Sequence, residues 1–165
     1  MSGVKPTTAA ELSRYEKIYI TGGEPLLFPD QLGSLVRLLR ANNENQEIYL
    51  NTALPTEWLI NNLDLFDGIT VGIHSPYDKR DIDRLFHFQT AIRDRKESYR
   101  LFFDITLGDV VLPIIPDRWT KVEGGPMVGE GECPVPFGED LLELRDAGSN
   151  ASYEEYLKLT AGAVS

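Results

Sequence analysis

Cysteine, histidine and long apolar runs are all scarce in this chain, and each shortage closes off a class of chemistry. Cys133 is the single cysteine, so no intramolecular disulfide forms and no zinc or iron-sulfur centre is held by thiolates of this chain alone. His74 and His87 are the only 2 histidines and have no companion ligands at metal-binding spacing. Apolar runs last a few residues, far short of the roughly 20 that span a bilayer, and Met1 to Thr8 lack a secretory apolar stretch. A cytoplasmic protein without membrane contact is the expectation. Positive charge is also in deficit, with 16 Lys and Arg against 26 Asp and Glu and a net charge of −10. That balance repels phosphate backbones and argues against nucleic acid as a partner. Cations do gather between Lys79 and Arg100, but Asp78, Asp81, Asp83, Asp94 and Glu97 are interleaved with them, as on a solvated helix face.

What the chain has is enough apolar content, 42% of 165 residues, for one domain with one core. Thr8-Ala9-Ala10-Glu11 has the form of a capping box and starts a short helix to about Tyr15. Glu16 to Thr21 carries Ile18, Tyr19 and Ile20 and reads as a strand. Asp30 is the expected N-cap of a second helix, whose Leu32, Leu35, Val36 and Leu39 recur at helical spacing until Asn42-Asn43. A strand follows over Glu47 to Thr52, then a helix capped by Thr56 with Leu59, Ile60, Leu63 and Phe66 along one stripe. Ile69, Val71 and Ile73 alternate as a third strand, Lys79 to about Ser98 forms a fourth helix, and Leu101 to Leu107 a fourth strand.

Strands alternating with helices imply parallel pairing through right-handed crossovers, so the fold class is α/β, as a partial (βα) barrel or an open parallel sheet. Past that point the pattern weakens. Val110 to Pro116 is extended or an edge strand, because Pro113 and Pro116 cannot donate to a ladder. Glu123 to Gly138 reads as a long Gly/Pro-rich loop, followed by short helices at Glu139 to Ala147 and Tyr153 to Leu159. The expected division is therefore a core over residues 1–120 and a loop-and-helix segment over 121–165 that packs on it.

Ligands of parallel α/β folds collect at the carboxyl ends of the strands, and the unusual residues stand there. Gly22, Gly23, Glu24 and Pro25 follow the first strand, Asn51 and Thr52 end the second, and His74 and Ser75 end the third. A glycine pair lets the backbone approach a small molecule closely, and the proline stiffens the exit. Glu24, His74 and Asp104 are titratable residues on separate strands, an arrangement common in α/β domains, for which solvated or structural roles are expected.

Tyr19-Ile20-Thr21-Gly22-Gly23-Glu24-Pro25-Leu26-Leu27 closely resembles the GGEP segment of radical S-adenosylmethionine (radical SAM) enzymes. In that family the segment follows the second strand of a partial (βα)6 barrel and holds the amino group of the SAM methionine. The helix from Thr8 to Tyr15 looks like the family's first helix. Leu50 to Pro55 is similar to the Thr-Asn-Gly end of its third strand, with Thr52 where glycine is usual, and Ile69 to Ser75 looks like its fourth strand, whose polar end contacts the sugar or carboxylate of SAM. The resemblance implies a SAM or nucleotide site built from Gly22, Gly23, Glu24, Pro25, Asn51 and Ser75. It departs from the family in one respect. The CxxxCxxC loop that carries the four-iron four-sulfur cluster belongs before Thr8, and no cysteine stands there. The expectation is a protein without its own cluster and not catalytic alone; a non-catalytic interaction or regulatory protein, and one half of a split enzyme with the cysteines on another chain, are the alternatives. A missing first strand also leaves the Glu16 to Thr21 strand with an open edge, to be covered by the terminal segments, a protein partner or a second copy.

Overall fold

The computed structural model describes residues 5–21, 24–108, 112–124 and 142–144. Five parallel strands form the main sheet: β2 (Lys17–Ile20), β3 (Glu47–Thr52), β4 (Gly68–Ile73), β5 (Ser98–Asp104) and β6 (Thr120–Gly124). Their spatial order is their chain order, β2-β3-β4-β5-β6. Two further short strands, β1 (Lys5–Thr7) and β7 (Leu142–Leu144), pair with each other in parallel as a separate sheet.

A strand order that never reverses, joined by right-handed crossovers, puts every connecting helix on the same face. The helices are α1 (Ala9–Leu12), α2 (Pro29–Asn42), α3 (Glu57–Asn61) and α4 (Lys79–Ala91). Side-chain alternation agrees. Ile48 and Leu50 of β3, Ile69, Val71 and Ile73 of β4, and Tyr99 and Leu101 of β5 share one buried cluster with Val36 and Leu39 of α2, Leu59 of α3 and Leu85 and Phe88 of α4. The intervening residues, Tyr49, Asn51, Thr70, Arg100 and Phe102, stand on the opposite face and are half-buried or exposed. Among the described residues the helices thus cover one side of the sheet, and the second face is polar and aromatic.

Polar side chains pin the layers. Gln46, fully buried, donates through Nε2 to the carbonyls of Leu12 and Tyr15 at 2.8 and 2.7 Å, locking α1 to the start of β3. Arg40 of α2 reaches the Gln46 carbonyl and pairs with Asp67 at 2.6 Å, while Asp67 accepts from the Ile48 amide at 2.7 Å. Gln89 of α4 donates to the Pro113 carbonyl at 2.6 Å and accepts from the Ile115 amide and Trp119 Nε1 at 3.1 and 3.3 Å. That one side chain fastens the segment leading into β6.

The capping boxes expected at Thr8 and the cap at Thr56 are formed, and α2 ends at Asn42. Several expectations differ. The second helix begins at Pro29 rather than after an Asp30 cap: proline's fixed φ suits the first helical position, and Asp30 lies in the first turn facing the positive helix end. The third helix breaks after Asn61, and Leu63–Leu65 continue as a 3-10 turn. The fourth helix stops at Ala91, not near Ser98, because Arg118 Nε takes the Ile92 carbonyl at 2.6 Å and Arg95 turns to Asp64 and Glu97. Its strand then starts early, at Ser98, and ends at Asp104, with Ile105–Leu107 a 3-10 turn.

Residues 112–115 are not a strand, and the fifth strand is Thr120–Gly124, so Glu123 and Gly124 of the expected loop belong to β6. Leu142–Leu144, expected inside a helix, are the strand β7. Cys133, the rest of the expected loop and the helix at Tyr153 to Leu159 lie outside the described residues. So does the Gly22-Gly23 pair.

Candidate functional site

The turn after β2 places Glu24 as the N-cap of the short 3-10 turn Pro25–Leu27, with Pro25 at its first position, where the missing N–H costs nothing. The Glu24 carboxylate then reaches the end of β3. Its Oε1 accepts from the Leu26 amide at 3.1 Å and from Thr52 Oγ1 at 2.6 Å, and its Oε2 accepts from the Ala53 amide at 2.8 Å. Thr52 Oγ1 in turn accepts from the Leu54 amide at 2.9 Å. A carboxylate offers about four acceptor positions, so these three donors leave room for about one more. The structure brings Glu24, Pro25 and the β3 end together; Thr52, on the buried side of that strand, is the direct partner of the glutamate.

Asn51 stands on the other side of β3, half-buried, and its side chain makes no hydrogen bond among the described residues. Ser75 is exposed, two residues past the end of β4. Between them in chain order, His74 is the residue that points along the open face. Its ring lies over Gly72, in space that a Cβ at residue 72 would occupy, and tilts against Phe102 with centroids 5.5 Å apart. Nδ1 of His74 is buried and has no hydrogen-bond partner among the described residues.

Burial holds the His74 imidazole below its ordinary pKa, and the nearby Asp104 carboxylate opposes that in part. Asp104 ends β5, next to β4, and its Oδ1 accepts from Thr106 Oγ1 and the Thr106 amide at 2.6 and 2.9 Å. Those two bonds, with the charge of His74, keep its carboxyl below the usual aspartate range. His74 and Asp104 therefore sense each other, and Glu24 is held apart by its bonds to the β3 end.

Tyr77 went unnoticed in the sequence. Its hydroxyl is buried without a hydrogen-bond partner among the described residues, and burial, followed by the charges of Asp81 and Glu24, pushes its pKa up. A tyrosine two residues after His74-Ser75 and just ahead of the Asp78 cap carries no periodic signal, so only the fold reveals that it packs against the core. The strand ends thus carry one remaining carboxylate acceptor, an imidazole disfavoured in its charged form and an Asn51 amide without a hydrogen bond among the described residues. These are hydrogen-bonding groups suited to a small polar molecule. Among the described residues no three His, Cys, Asp or Glu side chains come together to hold a metal ion. No protein-family model matches the chain, and no curated protein does.

Proposed function

We propose that this chain is a radical-SAM-like protein that retains a binding remnant for SAM or a nucleotide and does not catalyse radical chemistry by itself. The observation that carries the reading is the Glu24 turn: the carboxylate that the GGEP resemblance assigns to the SAM amino group sits at the carboxyl end of the sheet, fixed by Thr52 and Ala53. Parallel strands in chain order with their helices on one face also suit one wall of a partial (βα) barrel. Gly22, Gly23, Pro25, Asn51 and Ser75 complete the proposed site. A cluster held by three thiolates does not fit a chain with 1 cysteine, so no step is drawn through it.

Calorimetric titration of the chain with SAM and S-adenosylhomocysteine tests this reading. Saturable heat for either, weakened by Glu24→Ala, supports it; no heat for both at high concentration overturns it. Anaerobic iron-sulfur reconstitution should leave the isolated chain colourless and EPR-silent.

A second reading, a non-catalytic interaction protein on the same fold, is favoured by a separate observation. Among the described residues β2 pairs only with β3, and Tyr19 is 43% exposed. Strands β1 and β7, from the terminal segments expected to cover that edge, pair with each other. An open edge is a template for another strand, from a partner or a second copy.

A further inference from the structure

Thr52 stands where the segment it resembles has glycine, and it brings a hydroxyl to the Glu24 turn. It ends β3 on the side facing the core and is only 5% exposed. A β-branched side chain packed there has little χ1 freedom, so the hydroxyl is held in place before any ligand arrives.

The direction of its proton follows from its two hydrogen bonds. The Leu54 amide can only donate, so Thr52 Oγ1 accepts from it at 2.9 Å. An ionised carboxylate can only accept, so the Thr52 hydroxyl gives its single proton to Glu24 Oε1 at 2.6 Å.

This bond decides which acceptor of Glu24 stays open. A carboxylate has about four acceptor positions, about two on each oxygen. Oε1 takes Thr52 Oγ1 and, at 3.1 Å, the Leu26 amide, and is filled. Oε2 takes the Ala53 amide at 2.8 Å and, among the described residues, nothing else. The open acceptor is therefore on Oε2 alone. A guanidinium or amidinium fork needs an acceptor on each oxygen, whereas an ammonium needs one. With glycine at residue 52, Oε1 would keep an acceptor and a fork would find both.

We propose that Thr52 is the specificity-determining residue of the Glu24 site. By closing Oε1 it admits a ligand that presents a primary ammonium and excludes one that presents a guanidinium or amidinium. The proposal rests on the reading of Glu24 as a ligand group and adds the residue that sets its selectivity. Thr52 touches the carboxylate rather than the ligand, so it is a positioning residue that acts through Glu24.

The test is calorimetry on the full chain with SAM and S-adenosylhomocysteine, each paired with its own form guanidinylated at the α-amino nitrogen. The chain is expected to bind the amine of a pair at least about tenfold more tightly than the guanidinylated form. Thr52→Val, which keeps the branched shape and loses the hydroxyl, should lose that preference. Thr52→Gly, a second variant without the hydroxyl, should do the same, and Thr52→Ser, which keeps it, should retain the preference. Selection by the larger size of the guanidinium would survive in Thr52→Val and Thr52→Gly and overturns the proposal. So does equal binding of the two forms by the unaltered chain. In both cases the amine still binds, and the reading of Glu24 as a ligand group stands. No binding of either amine overturns both.

Discussion

Glu24 ties the turn after β2 to the end of β3 through a single carboxylate. Its carboxylate supplies acceptors for Leu26, Thr52 and Ala53, and removing it strands a hydroxyl and two amides near the surface of the β3 end. Glu24→Ala is therefore expected to cost about 1–3 kcal/mol of stability, read from urea denaturation midpoints. An unchanged midpoint would mean that the turn does not depend on the carboxylate. His74 gives a pH signature. Burial lowers its folded pKa, so the folded state binds fewer protons than the unfolded one, and its contribution is complete above the ordinary value of about 6.5. That contribution is lost as pH falls below about 6.5 towards the lower folded value. Asp104 acts in the same sense but only below the ordinary aspartate range, so the two windows separate. Thermal melts from pH 7 to pH 5 should show a falling midpoint, and His74→Phe should flatten it. A profile identical in the variant would assign the loss to other groups.

At the scale of elements, hydrophobic alternation made β3 and β4 legible, and helical spacing did the same for α2. The cap residues Thr8 and Thr56 marked helix starts because their hydroxyls accept from amides that no helix bond satisfies. The Asp78–Asp81 box at the head of α4 is the same device built with carboxylates, and Asp78→Ala should lower the midpoint of chemical denaturation. What the sequence concealed are elements set by distant partners. β6 has a single apolar residue, Val122, between Lys121 and Glu123, and owes its place to Trp119 and Gln89 rather than to its own pattern. The early end of α4 depends on Arg118, 26 residues beyond the carbonyl that it takes. Gln89→Leu should accordingly destabilise more than a surface change does, by about 2–3 kcal/mol, because Trp119 Nε1 and the Ile115 amide lose their acceptor. Protection of the Ile115 amide from hydrogen exchange should fall with it. Retained protection would show that another group holds this segment.

At the scale of the whole molecule, the described residues leave the polar face of the sheet without helices and the β2 edge without a second neighbour. The candidate site was legible as a set of strand ends, since Pro25, Asn51 and Ser75 fall at or just past the ends of strands that alternation predicts. Its internal wiring was not, because Thr52 reads as a strand residue until the crossover brings it to Glu24. The central claim is that the Glu24 end of the sheet still binds SAM. The most direct measurement is amide chemical-shift mapping of isotope-labelled protein during titration with SAM. Shifts should concentrate at Leu26, Asn51, Ala53 and Ser75 and disappear in Glu24→Ala. Absence of shifts at saturating SAM, or shifts that spare these four residues, would contradict the account.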